Sequence, residues 1–576
     1  MNTKRFMNWV SGSGSPNQLE IDGKLVSKAS SIAAAMNNYF IEKVAAVRRD
    51  ILCIPNTYSE CHQMMRGKFC KLWLDFVTPQ KVFKLLRSLK KSKSCGIDGL
   101  DSFSLKVAAE HIYGPLHHVL TLSLMQQKFP SSWRYSKIIP LHKKDSRLDK
   151  RNYRPVAILS PISKILEKVV FQQIYEYFTR NKIFDDNLHG YRKNRSTQTA
   201  LLTIYDRWVR AAAKGHINGV VLIDLSSAFD LVDHDILQMK LRIYGLQDDF
   251  LSWVNSYLRE RFQAVWIDHT MSNFIKCDVG VPQGSILGPL LFLIYFNDLP
   301  RSIPSHVDSY ADDTTISCSG FDIQEVEEKL TADCNSIETW MKTNKLKLNV
   351  KKTHVLTIGT QNRLMKIGKK VDVKLEDVRL EESPSGAEVL LGCKVQTNLK
   401  WNKHIEMIMA KLSSRLCGLA YLRHICPFKI KKTVTECMFT SIVIYCLPLI
   451  GGMGAGLLRE VQTLQNKAAR LVCNAPSTAH RKEMYDKLNW MTINQLIAYH
   501  SLLAVYKLRQ QKEPGYLANW VCNDSRNGRI MIPTTNLTVT NESFCFRGPT
   551  MWNILPILEA LRRTWQLGFF RRSKDS

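Results

Sequence analysis

Between about residues 77 and 395, short apolar runs alternate with longer segments whose apolar residues recur every three or four positions. The first pattern predicts strands, and the second predicts amphipathic helices. The predicted strands are residues 136–141, 219–224, 264–267, 273–278, 305–310, 353–358 and 389–395. The predicted helices are residues 79–89, 105–127, 161–180, 196–213 and 325–343. This mixture is typical of an α+β fold.

The segments on either side of this region are mainly helical, so the sequence predicts four parts along the chain. Residues 1–75 are predicted to form a helical N-terminal extension and linker, with a helix at residues 29–47. Residues 76–395 carry the mixed pattern, and residues 396–474 are predicted to be a helical domain with basic faces. Residues 475–576 are predicted to be a basic, mainly helical tail with loops rich in Gly, Pro and Asn.

Positive charge is the strongest feature of the composition. Of the 576 residues, 80 are Lys or Arg and 51 are Asp or Glu, which gives a formal net charge of +29. Such an excess indicates a polyanionic partner, and nucleic acid is the commonest one. The charge is spread along the chain instead of lying on one amphipathic helix, which disfavours binding to a membrane surface. On charge alone, general basic solubility remains the alternative.

Fifteen cysteines are scattered without paired spacing, which indicates free thiols in a reducing compartment. The nearest group, Cys53, Cys61, His62 and Cys70, lacks the spacing of a zinc ribbon or knuckle. The first residues have no apolar core, so no secretory signal is predicted. We therefore expect an intracellular protein.

One uncharged stretch, residues 437–458, is long enough to span a bilayer. It contains Pro448 and four glycines, which dilute its hydropathy. This composition favours a buried helix that ends at the glycines, and we expect no membrane partner.

Two acidic sites stand 88 positions apart (312 − 224), each at the end of a predicted strand. Asp224 ends the run Val-Val-Leu-Ile-Asp, and Asp312 and Asp313 follow the run Ser-Tyr-Ala. Carboxylates at two strand ends can share a pair of divalent cations, which is a common catalyst of nucleotidyl transfer. We predict that Asp224, Asp312 and Asp313 bind two Mg²⁺ ions, for which Mn²⁺ can substitute. A lone Asp at a strand end more often belongs to a turn or a helix cap.

A glycine-containing loop between the two acidic sites makes the metal hypothesis specific. The run Gly-Val-Pro-Gln283-Gly284-Ser predicts a tight turn whose glycines permit close approach to a nucleic-acid strand. Gln283 can then hydrogen-bond to a template base or sugar. Phe229 lies five residues after Asp224, where its ring could lie under the incoming sugar and exclude a 2′-hydroxyl. A core position is the alternative for Phe229, and Asp230 is expected to support a helix start instead of binding metal.

Basic residues lie on both sides of these sites. Lys143 in Pro-Leu-His-Lys-Lys and Arg154 in Asn-Tyr-Arg-Pro are assigned to the triphosphate of an incoming nucleotide, with a solvated basic face as the alternative. Lys352 in Asn-Val-Lys-Lys-Thr is a candidate proton donor to the leaving pyrophosphate. Tyr310, just before the second acidic site, is assigned to the substrate-binding surface.

In this order, the runs resemble the reverse transcriptases of non-LTR retrotransposons, and among them the jockey-like branch. Further parts of the resemblance are Gly96-Ile-Asp98-Gly, His189-Gly-Tyr-Arg with Ser196-Thr, Leu391-Gly with Trp401, Leu464-Gln-Asn with Arg470, and Trp552-Asn-Ile-Leu-Pro. The resemblance covers about residues 20–560. It implies a right-hand polymerase with fingers and an antiparallel palm at residues 76–395, a helical thumb at residues 396–474, and the tail.

The function implied by this resemblance is RNA-directed DNA polymerisation. Such an enzyme adds deoxynucleotides to a primer 3′-hydroxyl, here in target-primed reverse transcription. The implied partners are an RNA template, a DNA primer or nicked target DNA, and deoxynucleoside triphosphates. The implied location is the cytoplasm and nucleus, and no oligomeric state is implied.

Other functions remain open on the sequence. A decayed or co-opted copy could bind nucleic acid without catalysis, although Asp224 and Asp312 are both retained. A group II intron maturase shares the palm but fits the later motifs less well, and Phe229 would obstruct the sugar in an RNA-dependent RNA polymerase. Residues 1–75 show no nuclease constellation, and the late acidic residues show no ribonuclease H arrangement. Target nicking is therefore not assigned to this polypeptide.

Overall fold

The computed structural model describes residues 16–51, 58–68, 70–522, 529–532 and 537–554. The chain divides into two compact units, which are described separately. The first unit comprises the chain up to Tyr191, Asp224–Pro304 and Asn335–Asn349. The second comprises Arg192–Ile223, Ser305–Cys334 and the chain from Val350 onwards. Both units contain helices and strands, which confirms the mixed α and β class.

The bounds of the elements are as follows. The strands are β1 (Leu19–Ile21), β2 (Lys24–Val26), β3 (Tyr135–His142), β4 (Tyr153–Ile158), β5 (Ile217–Ile223), β6 (Arg261–Ile267), β7 (Thr270–Met271), β8 (Ile275–Cys277), β9 (His306–Tyr310), β10 (Asp313–Gly320), β11 (His354–Ile358), β12 (Lys374–Leu375), β13 (Val378–Arg379), β14 (Ala387–Leu390) and β15 (Cys393–Gln396). The α-helices are Ala29–Arg49, Ser59–Met64, Pro79–Arg87, Ser102–Val107, Ala109–Met125, Pro161–Arg180, Thr197–Ala213, Ala228–Leu231, His234–Ile243, Asp248–Leu258, Leu287–Tyr295, Leu299–Ser302, Ile323–Thr343, Gln361–Ile367, Asn402–Tyr421, Phe428–Thr435, Ser441–Ile444, Leu447–Ile450, Ala455–Cys473, Arg481–Leu488, Ile493–Gln511, Gly515–Val521, Thr538–Glu542 and Phe544–Ile554.

β5 is a central strand of the main sheet in the second unit. Among the described residues this sheet has the order β11-β5-β10-β9, and all neighbouring strands are antiparallel. β5 reads Ile-Asn-Gly-Val-Val-Leu-Ile and is buried along almost its whole length, as a strand with partners on both sides must be. Its last residue, Ile223, is opposite Thr314 of β10, and Leu222 is opposite His354 of β11.

Gly219, in the middle of β5, lets a helix pack directly on this sheet. A Cβ atom at position 219 would lie 2.4 Å from Cγ1 of Val326 and 2.6 Å from Cδ1 of Leu330, both on the helix Ile323–Thr343. Carbon atoms in favourable contact are about 3.5–4.0 Å apart. Any larger side chain at this position would therefore force the side chains of Val326 and Leu330, or the helix that carries them, to move.

A large apolar core joins the same sheet to the helices that follow it in sequence. Its side chains come from β5, β11 and the helices Thr197–Ala213, Asn402–Tyr421, Ala455–Cys473 and Ile493–Gln511. Within it, the Tyr205 hydroxyl donates to the Leu399 carbonyl at 2.5 Å. The helices predicted after residue 396 therefore pack on the sheet within one unit, while the boundaries predicted after residues 75, 395 and 474 stay predictions.

In the first unit, β3 lies between β4 and β6. It pairs antiparallel with β4 and parallel with β6, and β6 also pairs with β7 and β8. The predicted N-terminal helix is present as Ala29–Arg49 and packs against β6. Asn37 on this helix is fully buried, and its amide donates to the Asn273 carbonyl at 2.9 Å and to the Ser272 hydroxyl at 3.1 Å. These hydrogen bonds fix the helix to the sheet.

Two predicted elements are divided in the structure. The strand predicted at residues 389–395 is wrong, because Leu391 and Gly392 adopt φ angles of +47° and +83° and turn the chain into the hairpin β14–β15. The helix predicted at residues 105–127 is two helices that meet at Ala108. In both cases an apolar pattern continues across a change of backbone direction.

The predicted buried helix at residues 437–458 is also wrong as one element. A π-helical segment, Glu436–Thr440, leads into two short helices, and a new helix begins at Ala455. The chain turns at Cys446, whose φ is +52°. Among the described residues, no helix is both long and apolar enough to cross a membrane. Cys53 and the tail beyond residue 554 lie outside the described residues.

A buried ion pair stabilises the helices of the first unit. Lys240 and Asp298 have 0% and 1% of their side chains exposed, and Nζ of Lys240 lies 2.7 Å from Oδ1 of Asp298. The same ammonium group donates to the Tyr295 carbonyl at 2.7 Å and lies near the rings of Tyr295 and Trp340. A charge removed from water needs such partners, because desolvation otherwise opposes folding.

Replacement of this lysine should be strongly destabilising. Lys240→Met is expected to lower the free energy of unfolding by about 3–5 kcal/mol, because Asp298 would stay buried without its counter-charge. Lys276→Met is the matched control, since Lys276 pairs with Asp278 on the surface, and its effect should stay below about 1 kcal/mol. Urea unfolding measures both values, and equal effects of the two substitutions would contradict the proposed role of the buried pair.

Candidate active site

The second acidic site lies on the hairpin formed by β9 and β10. Tyr310 pairs with Asp313, and Ala311 and Asp312 form the turn between them. Ala311 has φ +60°, a conformation that costs a non-glycine residue about 1–2 kcal/mol. Asp312 and Asp313 are exposed, and Tyr310 is half-buried. The turn therefore presents two adjacent carboxylates at one end of the sheet.

Buried polar contacts hold this hairpin beneath the turn. The hydroxyls of Ser309 and Thr314 are buried and lie 3.0 Å apart. Asp308 is also buried and forms an ion pair with Arg207. Because β5 ends at Ile223, opposite Thr314, the chain leaves β5 level with the turn. The register of the sheet thus fixes where β5 ends relative to the turn at Asp312.

Lys352 ends the 3₁₀ turn Val350–Lys352, close before β11, and its side chain is exposed. β11 begins at His354, opposite Leu222 near the end of β5. The start of β11 and the start of β10 are therefore at the same end of the sheet. Within the second unit, Lys352 lies at the end that also carries Asp312.

In the first unit, Asp224 is held by Asn349. Nδ2 of Asn349 donates to Oδ2 of Asp224 at 2.7 Å, and the Asn349 backbone N–H donates to the Asp224 carbonyl at 2.9 Å. The two segments also pair at the next position, where Leu225 and Leu348 form an antiparallel β-bridge. Asn349 therefore orients the half-buried carboxylate of Asp224, a role that the sequence analysis did not assign to it.

Phe229 lies on the short helix Ala228–Leu231 and is half-buried. Its ring stacks on Phe292, with centroids 4.4 Å apart and an angle of 13° between the planes. Tyr191 meets the ring edge-on, with centroids 6.0 Å apart. Two aromatic contacts thus fix the orientation of the ring while part of its surface stays accessible. Its role against an incoming sugar stays a prediction.

The glycine-containing turn is tied to this helix through the backbone. The Gly280 N–H donates to the Val232 carbonyl and the Val281 N–H donates to the Phe229 carbonyl, both at 2.9 Å. A Cβ atom on Gly280, whose φ is +83°, would lie 2.7 Å from the Asp230 carbonyl oxygen. Glycine at this position therefore allows the turn and the helix to meet.

The other side of the turn contacts β4. The Ala157 N–H donates to the Gln283 carbonyl at 2.8 Å. Gly284 has φ +126°, and a Cβ atom there would lie 2.2 Å from the Ala157 carbonyl oxygen. A backbone conformation of this kind and a contact this close require glycine. The sequence prediction of a tight turn is confirmed, and its close approach is to β4.

The amide of Gln283 is held by Asp230. Nε2 of Gln283 donates to Oδ1 of Asp230 at 2.7 Å. Burial raises the pKa of Asp230 to about 6, although the Gln283 hydrogen bond and the charge of Lys43 act in the opposite direction. Asp230 was expected to support a helix start, and the structure gives it a further role as the residue that positions Gln283.

The two predicted phosphate-binding residues lie on the β3–β4 hairpin, and both are exposed. Lys143 directly follows β3, and its backbone N–H donates to the Asn152 carbonyl at 2.8 Å. Arg154 lies in β4, opposite Leu141. β4 therefore carries Arg154 and also forms the backbone hydrogen bond to the turn at Gln283.

Each unit therefore brings part of the predicted site together. In the first, the turn that contains Gln283 and Gly284 is hydrogen-bonded to the helix of Phe229 and to β4, the strand that carries Arg154. In the second, Tyr310, Asp312 and Asp313 share one hairpin. Two supporting residues were missed because their contacts, Asn349 to Asp224 and Asp230 to Gln283, join positions 125 and 53 residues apart. No local sequence pattern reports such a contact.

The predicted metal ligands have suitable chemistry. Mg²⁺ prefers oxygen ligands, and Asp224, Asp312 and Asp313 supply carboxylate oxygens at the ends of ordered elements. In the part of the chain that the structure describes, no three His, Cys, Asp or Glu side chains are already grouped so that they could hold a metal ion. The metal site stays a prediction.

Known proteins are similar to this chain over most of its length. Residues 141–401 match the family model described as reverse transcriptase (RNA-dependent DNA polymerase). Over 451 residues the chain is 26% identical to the probable RNA-directed DNA polymerase from transposon BS of Drosophila melanogaster, an alignment that covers 75% of this chain and 48% of that protein.

Two further Drosophila melanogaster proteins give similar matches. The RNA-directed DNA polymerase from mobile element jockey is 24% identical over 415 residues, which cover 70% of this chain and 44% of that protein. The probable RNA-directed DNA polymerase from transposon X-element is 23% identical over 433 residues, which cover 73% and 47% respectively. The chain spans about half the length of the curated relatives it matches. The resemblance to reverse transcriptases of non-LTR retrotransposons is confirmed.

The ionisation of Asp230 predicts a specific pH dependence of stability. Its pKa of about 6 in the folded protein is higher than about 3.9 in an unfolded chain, so its favourable contribution is full below pH 4 and is lost as the pH rises through 6. Asp230→Asn should therefore raise the free energy of unfolding by about 2–3 kcal/mol at neutral pH and leave it almost unchanged near pH 4.

Urea unfolding at the two pH values measures this difference. Asp278→Asn is the matched control, because Asp278 is an exposed acidic residue that pairs with Lys276. An equal effect of Asp230→Asn at both pH values would show that packing, and not ionisation, determines the result.

Proposed function

We propose that this chain is an RNA-directed DNA polymerase of a non-LTR retrotransposon, which adds deoxynucleotides to a primer 3′-hydroxyl on an RNA template. The observation that carries the proposal is the match of residues 141–401 to the reverse transcriptase family, because this segment contains every assigned site residue from Lys143 to Lys352. The relatives are named RNA-directed DNA polymerases of transposable elements, which supports the same activity here.

The carboxylates of Asp224, Asp312 and Asp313 hold two Mg²⁺ ions in this proposal. When bound, such ions lower the charge repulsion between the attacking hydroxyl and the phosphate and stabilise the leaving pyrophosphate. Asn349 keeps the Asp224 carboxylate in one orientation through its 2.7 Å hydrogen bond. The match to the reverse transcriptase family supports the assignment, since residues 141–401 contain all three carboxylates.

The remaining residues bind and select the nucleotide. Lys143 and Arg154 bind the triphosphate, and their exposure on one hairpin supports this role. Phe229, fixed by its stacking on Phe292, excludes a 2′-hydroxyl by steric contact. Lys352 donates a proton to the leaving pyrophosphate.

Gln283 and Gly284 position the template strand. Asp230 holds the Gln283 amide, so that this side chain offers its remaining hydrogen-bonding groups in a fixed direction. Tyr310 lies beside the Asp312 turn and contributes to the substrate-binding surface.

The polymerase is proposed to have a right-hand arrangement. The β3–β4 hairpin and the helices around it are the fingers, the sheet with β5, β9 and β10 belongs to the palm, and the helices after residue 396 are the thumb. Partners of the complete protein are an RNA template and a nicked target DNA that serves as primer, which requires access to the nucleus.

Primer extension tests the catalytic assignment. On an RNA template with deoxynucleotides and Mg²⁺, Asp312→Asn should reduce the extension rate by at least about a thousand-fold, a loss of about 4 kcal/mol of transition-state stabilisation, because it removes a metal ligand at constant volume. Asp322→Asn is the control, since Asp322 is an exposed acid in the same unit, and it should keep full activity. Equal activity of Asp312→Asn and wild type would reject the site.

Sugar selection tests the role of Phe229. Phe229→Val should admit ribonucleotides, so the ratio of kcat/KM for deoxynucleotide over ribonucleotide should fall at least about ten-fold, equivalent to about 1.4 kcal/mol. The exposed Phe321 supplies the control Phe321→Val. If selectivity is the same in both variants and in wild type, Phe229 is a core residue and not the sugar gate.

A further inference from the structure

We propose that a cavity in the first unit binds a small organic cation, which pairs with the carboxylate of Asp230. The cavity has a volume of about 500 Å³, and every residue that lines it belongs to the first unit. Pockets that bind small molecules usually have volumes of about 300–1,000 Å³. The size of this cavity therefore suits a small molecule.

Three parts of the first unit form the walls of the cavity. The N-terminal helix supplies Phe40 and Val44, and the strands β3 and β4 supply Ile138 and Ala157. The third wall is the glycine-containing turn that ends at Gln283. Apolar walls of this kind can hold the apolar body of a ligand, while a few polar groups set its orientation.

Most of the charged side chains around the cavity already have a partner in its wall. Six of them form three ion pairs: Arg48 with Asp233, Lys276 with Asp278 and Arg259 with Asp235. The members of each pair neutralise one another. These six side chains therefore do not decide the charge of a ligand.

The charge of Arg261, which also lines the cavity, is met inside the protein. Its side chain is almost fully buried, and Nη1 donates to the Tyr257 carbonyl at 3.0 Å. The guanidinium group lies near the rings of Phe129 and Tyr257. Burial raises the pKa of the nearby Glu167, and the positive charge of Arg261 opposes that rise. Arg261 is therefore occupied by protein groups.

Asp230 differs from all of these residues, because its one hydrogen-bond partner is neutral. Oδ1 accepts from the amide of Gln283 at 2.7 Å. Among the described residues, Asp230 forms no ion pair, and Oδ2 has no hydrogen-bond partner. The side chain is half-buried, and Oδ2 is not closed off from solvent. The cavity wall thus holds a carboxylate that lacks a paired cation.

This carboxylate determines the chemistry of the ligand. A carboxylate that is partly removed from water is stabilised by a counter-charge. An amidinium or guanidinium group offers two parallel N–H donors to a carboxylate, and such charge-assisted hydrogen bonds are strong. The apolar walls suit an aromatic body. The cavity therefore fits a compact aromatic cation with an amidinium group.

Three probes of nearly equal shape test the charge of the ligand. Benzamidine is a cation, benzamide is its neutral counterpart and benzoate is an anion. In isothermal titration calorimetry with the wild-type chain, benzamidine should bind at least about ten-fold more tightly than benzamide, equivalent to about 1.4 kcal/mol. Equal affinities, tighter binding of benzoate, or no binding of benzamidine below about 10 mM would each overturn the proposal.

A variant without the carboxylate charge tests whether Asp230 is the partner. Asp230→Asn should weaken binding of benzamidine at least about ten-fold. This variant is expected to be more stable than wild type at neutral pH, so unfolding would not explain the loss. Asp278→Asn is the matched control, because Asp278 also lines the cavity but pairs with Lys276, and it should change affinity less than about two-fold. Equal losses in the two variants would overturn the role of Asp230.

A second pair of variants tests whether the cavity itself is occupied. Ala45 and Ala46 are neighbours on the N-terminal helix and both are exposed, but only Ala45 lines the cavity. In Ala45→Trp the indole should fill part of the cavity and weaken binding of benzamidine at least about ten-fold. Ala46→Trp should keep the wild-type affinity. Equal affinities of the two variants would place the bound cation elsewhere and overturn the proposal.

Cation binding and polymerisation can fail separately, because the binding measurement needs no catalysis. If primer extension is absent but benzamidine binds wild type and not Asp230→Asn, the cavity site stands and the proposed function fails. If primer extension is present and benzamidine does not bind, the cavity site is wrong and the catalytic assignment stands.

Discussion

The register of β5 is the constraint on which the arrangement of the second unit depends. This strand pairs with β10 on one side and β11 on the other, and it is buried on both faces. The side-chain period of a strand is two, so a shift by one residue would turn every side chain to the opposite face. Gly219 would then no longer lie against the helix Ile323–Thr343, which packs closely on β5 only where the strand has glycine. One register thus sets where β5 ends relative to the turn at Asp312.

The sequence predicts β5 well and β10 poorly, and the difference has a physical cause. β5 is an apolar, β-branched run, whereas β10 reads Asp-Thr-Thr-Ile-Ser-Cys-Ser-Gly. In β10 the buried Thr314 has a partner across the hairpin, since its hydroxyl lies 3.0 Å from that of Ser309. Such a partner exists only after the hairpin has formed. Hydrophobic periodicity therefore detects strands that bury apolar atoms, and it misses strands that bury satisfied polar atoms.

At the candidate site, too, the sequence predicts residues that have a local pattern, and it does not predict residues that act through contacts formed on folding. The acidic residues and the glycine-containing turn were found because of their order along the chain, with the turn between two acidic sites at predicted strand ends. Their supports were not found, since Asn349 and Asp230 act through contacts with distant positions. Gly284 is intermediate between these cases. The turn was predicted from its glycine. Glycine is required there because the carbonyl of Ala157, 127 positions away (284 − 157), leaves no room for a Cβ atom. Long-range contacts of this kind decide the geometry of a site whose chemistry is visible in the sequence.

The arginines of the second unit differ in how far the fold itself neutralises them. Arg195 is fully buried and forms a 2.7 Å ion pair with Glu513, and Arg207 pairs with the buried Asp308. These cations are neutralised within the fold, so they contribute little to the +29 charge that a polyanion would meet. Arg423 and Arg470 instead each have a buried Nε atom without a hydrogen-bond partner among the described residues. The net charge counts all of these residues equally, whereas the pairing of each one determines which of them is available to a nucleic acid.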